Sequence, residues 1–359
     1  MPTKLIKLNN KLLKLNNKLE SLTTIDKSSL QIQLTITGSS QSVTIPMLSG
    51  AYTYNYIVNW GDGNSNTVTT YNDTGATHVY ASASVYTMGI SGTCETFYVN
   101  GGGTMRLAIT KVLSWGKVGL KVIHFFSCSN LNSITTDSYS GLTNVTGIGF
   151  GYAFANCSKL SSIPSGLFDN SSNATSFDST FYYCSSLSSI PTDLFRYTAG
   201  NYFSTTFGYS SGITAIPVDL FRYNTSATLF ASAFYNCTSL SSIPTDLFRY
   251  CTGVTDFSNT FSNCTTLTGI TTGMFNYNVN VTNFSSIFYN CTGLTSIPAT
   301  LFNNCTGVTD FSYVFYSCTS LTGNAPTLWN RTNPTPDGTQ CFWSDTSLTN
   351  YASIPAGWK

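Results

Sequence analysis

Phe234-Tyr235-Asn236-Cys237-Thr238-Ser239-Leu240-Ser241-Ser242-Ile243-Pro244-Thr245-Asp246-Leu247-Phe248-Arg249-Tyr250 is the stretch that decides the fold, because its apolar positions return along the chain at a fixed interval. The leading phenylalanine recurs as Phe154, Phe181, Phe207, Phe234, Phe261, Phe288, Phe315 and Phe342, at steps of 27 and once 26. Three residues on stand Cys157, Cys184, Ser210, Cys237, Cys264, Cys291, Cys318 and Asp345; six on stand Leu160, Leu187, Ile213, Leu240, Leu267, Leu294, Leu321 and Leu348. Ile163, Ile190, Ile216, Ile243, Ile270 and Ile297 follow, usually with proline behind them, then an apolar pair such as Leu247-Phe248. Phe177, Phe203, Phe230, Phe257, Phe284 and Phe311 complete the units. One such unit cannot bury its apolar face alone, so successive units must stack on a shared core, and the period predicts a solenoid over residues 106–348.

Within a unit, Leu-x-x-Ile-Pro suits a short strand stopped by proline, Pro-x-x-Leu-Phe a single helical turn opened by proline, and Val-Thr-Asp-Phe-Ser a second strand. At ~4.7–4.9 Å per paired strand, a stack of roughly seven or eight coils makes a rod or shallow arc about 35–40 Å long. Residues 349–359 read as a C-terminal cap.

Upstream the pattern changes twice. Leu5, Leu8, Leu12, Leu15, Leu19 and Leu22 alternate steps of three and four, as in a coiled-coil heptad, so residues 1–27 read as an oligomerisation or anchoring helix. Lys7, Lys11, Lys14 and Lys18 take solvated or flanking positions. A trimer is the expected state by analogy with the symmetry of fibre proteins, and a lone amphipathic helix docked on its own body or on a partner protein is the alternative. Residues 28–105 read as a small immunoglobulin-like β-sandwich, with alternation over Leu30–Ile36, a strand at Tyr54–Trp60 turned by Gly61-Asp62-Gly63-Asn64, and a late strand at Val85–Ile90. The whole is mainly β.

Composition narrows the function. Only 9% of residues are charged, and Lys+Arg at 16 against Asp+Glu at 15 leaves no field to steer nucleic acid or an anionic membrane. No stretch approaches the ~18–20 apolar residues of a membrane span, and Lys7, Asn9, Asn10, Lys11 and Lys14 break up the amino terminus as a secretory signal. That expectation favours a virion component released by lysis over an exported protein.

Val58-Asn59-Trp60-Gly61-Asp62-Gly63, His78-Val79-Tyr80 and Val85–Gly92 together resemble a polycystic-kidney-disease (PKD) domain over about 70 residues. The resemblance implies a core tryptophan and structural roles for Asp62 and His78, which would otherwise suggest a metal or acid/base pair. The repeats resemble the BspA-like leucine-rich repeat surface proteins of bacteria and their phages, whose recurring core is Phe-x-x-Cys-x-x-Leu-x-x-Ile. Lys111–Gly116 and Phe125–Leu131 are similar to that family's entry into its first repeats. Ser210 in place of cysteine and Thr271 in place of proline depart from the pattern. The family likeness implies display and adhesion without naming a ligand.

Most of the eleven cysteines share one repeat position. Neighbouring rungs about 4.8 Å apart with parallel side chains leave the Cβ atoms beyond disulfide reach, so buried free thiols are expected. No Cys-x-x-Cys pair exists, and His78 and His124 lie in different segments; no metal site and no cofactor are expected. Asp193, Asp219 and Asp246 precede Arg196, Arg222 and Arg249 by three residues and suit surface pairs on a turn. Nothing breaks the repeat to supply a catalytic constellation, so no enzyme is expected. Asn236, Asn263 and Asn290 match glycosylation sequons, yet asparagine at a repeat position suits bonding along the stack.

Tyrosine is the informative polar residue. Tyr182, Tyr235, Tyr289 and Tyr316 follow the period phenylalanine, and Tyr197, Tyr223, Tyr250 and Tyr277 follow the helical turn. Tyrosine offers large amphipathic contact area at low entropic cost, so the first column is the candidate ligand-contact face, the alternative being coil-edge packing. The expectation is a structural, adhesive surface protein: a phage fibre, tail or capsid-decorating protein that binds a host surface glycan or protein, displayed on the virion surface beside other virion proteins. A bacterial cell-surface adhesin, or a virion component with no ligand, are the alternatives.

Overall fold

The computed structural model describes residues 26–359; the leucine heptad, and the oligomerisation expected from it, lies outside the described residues. Strands come first: β1 (Leu30–Ile36), β2 (Gln41–Thr44), β3 (Tyr54–Asn59), β4 (Ser65–Val68), β5 (Thr77–Tyr80), β6 (Ser84–Cys94), β7 (Thr96–Asn100), β8 (Ile109–Ser114) and β9 (Val122–Phe126). Period-two alternation decides their faces, as in β3, where Tyr54, Tyr56 and Val58 are buried and Asn55, Ile57 and Asn59 exposed. β4-β3-β6-β1-β8 form one antiparallel sheet, and β2 pairs with β5. Helix is scarce among the described residues: one α-helical turn, Met105–Ala108, and short 3-10 turns.

Two features tie this body to the repeats. β8 pairs with β1, Ile32 opposite Val112, so the sheet runs through the boundary expected at 105/106. Ile109 and Val112 are buried, and the segment read as repeat entry serves both bodies: β8 pairs with β1 on one side, while Val112 N–H donates to Ser133 O at 3.0 Å and Asn132 N–H to Thr110 O at 2.9 Å on the other. Gly116 follows at φ 64°, and a Cβ there would lie 2.3 Å from Leu30 N, so only glycine lets the chain leave β8 across the start of β1. β7 then pairs in parallel with β9, from Thr96 opposite Val122 to Asn100 opposite Phe126. β9 is thereby the first rung of the stack: Phe125 N–H donates to Ala153 O at 2.6 Å and Ser127 N–H to Ala155 O at 2.8 Å.

Three phenylalanine columns fill the solenoid. Phe125, Phe154, Phe181, Phe207, Phe234, Phe261, Phe288, Phe315 and Phe342 lie ring over ring at 5.4–5.9 Å. A second column runs from Phe150 to Phe311 at 5.3–6.0 Å and a third from Phe168 to Phe302 at 5.9–6.4 Å. These two also interlock through tilted contacts such as Phe248–Phe257 at 4.6 Å. Stacked aromatics of this kind add about 0.5–1.5 kcal/mol per pair beyond the area they bury.

The coils differ from the expected strand-turn-strand unit. Leu-x-x-Ile is extended but forms no strand ladder; Thr268 N–H to Ser241 O at 3.4 Å is the kind of single bond that joins it to its neighbour. The Pro-x-x-Leu-Phe segment is a turn with Leu247 N–H bonded to Pro244 O at 3.3 Å, and the second strand shrinks to one bridge per coil, as Asp256 opposite Asn283. The continuous ladder runs instead through the Phe-x-x-x-Phe segment. In one coil Phe230, Ser232, Phe234 and Asn236 donate to Asp256, Ser258, Thr260 and Ser262 of the next, at 3.2, 2.8, 2.9 and 2.8 Å, while the amides between them close turns within their own coil. This alternation needs two left-handed residues four apart, supplied by Ser232 (φ 58°) and Asn236 (φ 57°) here, and by Tyr152 and Asn156 through Gln340 and Ser344 elsewhere. Left-handed backbone costs an L-residue about 1–2 kcal/mol, which the four amide bonds between coils offset.

The one 26-residue step has a local cause. The lost residue falls between Tyr197 and Phe203, and Gly200 closes the shortened loop where a Cβ would lie 2.5 Å from the Phe203 ring. At the far end Gln340 N–H donates to Gly357 O at 3.0 Å and Phe342 N–H to Trp358 O at 2.8 Å, so residues 349–359 take the place of a further coil.

Candidate ligand-contact face

Side-chain ladders fix the rungs on which exposed groups sit. Each Sγ of Cys157, Cys184, Cys237, Cys264, Cys291 and Cys318 donates to a phenylalanine carbonyl of the preceding coil at 3.0–3.3 Å. Ser210 Oγ makes the same bond to Phe181 O at 2.7 Å, which is why serine can replace cysteine there. All eleven cysteines are buried and unbridged, and burial pushes the Cys184 and Cys264 thiols up to about 12, so they stay protonated donors. A second rung, Asn224, Cys251, Asn278 and Cys305, bonds back in the same manner, and Arg331 ends it with Nη2 on Phe302 O at 2.6 Å. Asn290 Nδ2 reaches Asn263 Oδ1 at 2.8 Å, an asparagine contact along the stack.

The column Tyr182, Tyr235, Tyr289 and Tyr316 sits half-buried on the amide ladder and is shared with other aromatics. Tyr289 stacks on Tyr316 at 4.8 Å and 7°, and Tyr316 on Trp343 at 6.2 Å. Tyr182 and Tyr235 meet through Tyr209, at 5.4 and 5.1 Å, and Tyr183 stacks on Tyr209 at 4.9 Å. Ser262 interrupts the column between Tyr235 and Tyr289, leaving two aromatic patches on one face.

The other column is more exposed and carries cations. Tyr197 is 50% exposed and Tyr223 47%; Arg196 lies 5.0 Å above the Tyr223 ring, Arg222 5.5 Å above Tyr250 and Arg249 5.0 Å above Tyr277. Two of the three expected acid–arginine pairs close, Arg222–Asp219 at 3.4 Å and Arg249–Asp246 at 3.6 Å. Arg196 instead rests on Tyr197 and Tyr223. The spacing had shown acids and bases; the sandwiching of each guanidinium between successive tyrosines had no signal beyond the adjacency of Arg and Tyr.

Asp62 and His78 come together in the sandwich, His78 Nε2 to Asp62 Oδ2 at 2.7 Å, but in a packed setting. The imidazole stacks on Trp60 at 4.9 Å and meets Tyr80 edge-on, while Tyr80 Oη donates to Trp60 O at 2.8 Å. Partial burial works against the Asp62 carboxylate, yet Asn64 N–H and His78 hold its pKa below the usual range. Among the described residues no group of three His, Cys, Asp or Glu is placed to hold a metal ion, and no helix is long and apolar enough to cross a membrane.

No family model matches the chain, and no curated protein matches it. Among solved structures it is similar to a leucine-rich cell surface protein from Faecalibacterium prausnitzii, at 17% identity and a TM-score of 0.22, over 77% of this chain and 93% of that one. It is also similar to a chain of the Drosophila Toll–Spatzle complex (15%, TM-score 0.23, 58% of this chain and 37% of that one) and to one of the TLR13–ssRNA13 complex (11%, 0.21, 62% and 40%).

Proposed function

We propose that the chain is a structural and adhesive surface protein: a phage fibre, tail or capsid-decorating protein whose solenoid binds a host surface glycan or protein. The single observation that carries the reading is the pair of aromatic patches, Tyr182 with Tyr183, Tyr209 and Tyr235, and Tyr289 with Tyr316 and Trp343, repeated along one face. Identical groups at coil spacing let a polymeric ligand engage several weak sites together, and linkage raises avidity without a deep pocket. Residues 1–27 oligomerise the chain, with three copies as the working number, and the immunoglobulin-like, PKD-like sandwich is a spacer between that bundle and a leucine-rich solenoid of 27-residue units. No catalytic, metal or nucleic-acid role is part of this reading.

Replacing Tyr235, Tyr289 and Tyr316 together by alanine tests it. The fold, followed by circular dichroism, should persist while attachment to host cells falls; a folded variant that attaches like the parent refutes the adhesive face. Light scattering of the full chain against one beginning at Ser28 should show different subunit numbers. Antibody labelling of purified phage particles and of bacterial cells decides the setting, and label on cells alone moves the protein to a cell-surface adhesin.

A further inference from the structure

A cleft of about 440 Å³ lies where the sandwich meets the first coils, lined by Tyr52, Tyr98, His124, Ile148, Tyr152 and Asp178 among others. Its volume is that of ordinary small-molecule sites. The wall is pre-built: the His124 ring stacks on Tyr98 at 4.5 Å and 8°, its Nδ1 lies 3.3 Å from Val99 O, and burial holds its pKa below the usual value, leaving the ring neutral. Ile148 stands 81% exposed on the rim and Tyr152 49%, apolar surface that no neighbour among the described residues covers. Beside Tyr152, whose N–H donates to Asp178 O at 3.0 Å, burial raises the pKa of the Asp178 carboxyl, whose Oδ1 is fixed by Ser204 N–H at 2.9 Å.

We propose that this cleft is a binding site for a neutral sugar ring, the deep end of the track that the adhesive reading assigns to the tyrosine face. Its chemistry is two-sided. Rings and Ile148 offer apolar surface to the C–H face of a pyranose, while the tyrosine phenols and the Asp178 carboxylate offer partners to its hydroxyls. No lysine or arginine lines it, which disfavours phosphate, sulfate or uronate ligands. An extended peptide would want free main-chain amides, and those of Ile123 and Phe125 in β9 already donate to Gly149 and Ala153. On one amide ladder Tyr152 N–H donates to Asp178 O at 3.0 Å and Asn156 N–H to Tyr182 O at 2.7 Å, so a longer chain anchored here would run along the solenoid face.

The test titrates the full-length protein with three short neutral probes, the trisaccharides of β-1,4-linked N-acetylglucosamine, of mannose and of galactose, by calorimetry. At least one should bind, and Ile148→Arg and Tyr152→Ala, both at exposed positions, should each weaken it by about tenfold or more. Val279→Ala, an exposed change several coils away, should leave trisaccharide affinity unchanged. Absence of binding by all three probes, or binding that neither cleft variant moves, overturns the cleft. Failure of the wider adhesive reading shows separately, as a triple variant that still attaches to cells.

Discussion

In the sandwich Trp60 is buried once, stacked on one histidine and bonded through one tyrosine, and every such contact is unique; in the solenoid Phe234 meets Phe207 and Phe261 in a contact that recurs in every coil. The first body is held by pairings far apart in sequence, β1 with β6 and β3 with β6, whereas each coil touches only its neighbours. Damage to the sandwich should therefore be felt throughout it, and damage to a coil should stay near that coil.

Among substitutions Phe234→Ala should have the largest effect, about 3–5 kcal/mol from lost burial and a cavity. Hydrogen exchange should show it concentrated in the flanking coils with the sandwich amides still protected; uniform loss of protection would mean that the two bodies share one cooperative unit. Asp345 comes next, standing at the cysteine position of the last coil with both carboxyl oxygens buried and without partners. Burial raises its pKa to about 8. The unfolded chain loses this proton near the ordinary carboxylate pKa of about 3.9 and the folded chain keeps it, so stability should fall as pH rises through that interval, by at most about 1.4 kcal/mol per unit. Denaturant melts from pH 4 to 9 should show the slope level off above the folded pKa, and Asp345→Cys should abolish it.

Gly116→Ala tests the joint between the two bodies and should cost about 1–3 kcal/mol through strain at a left-handed position. Loss of protection on β1 and β8 together would be its signature, and an effect confined to the coils would contradict the shared sheet. Smallest is the thiol rung. Cys264→Ser should change the melting midpoint by less than the equivalent of about 1 kcal/mol, as Ser210 already fills such a rung, whereas Cys264→Ala loses the donor and should cost about 1–2 kcal/mol.

The positions that stack were legible because burial acts on side chains, and side chains are what a sequence displays: the phenylalanines at the period are the ones in ring contact. What joins the coils was not legible, because the amide ladder is a backbone matter and its left-handed residues are Ser, Tyr, Thr, Gln and Asn rather than glycine. Lys111–Gly116 carries the apolar spacing of a repeat and does bond to the first coil, Val112 N–H to Ser133 O at 3.0 Å; its second pairing, with β1, was not legible because it too rests on backbone groups. The junction cleft left no motif at all. Tyr52, Tyr98, His124, Tyr152 and Asp178 come from separate segments that only the parallel pairing of β7 and β9 and the first coils bring together.

The direction of the amide ladder has a consequence for ancestry. Along the Phe-x-x-x-Phe segment every coil offers donors forward and carbonyls backward, and the C-terminal segment meets the donors of the last such segment through Gly357 and Trp358. A duplicated or deleted block of 27 codons would therefore splice between any two coils with both ends still matched. Copy number becomes a heritable ruler, setting how far the molecule reaches without renegotiating how it begins or stops.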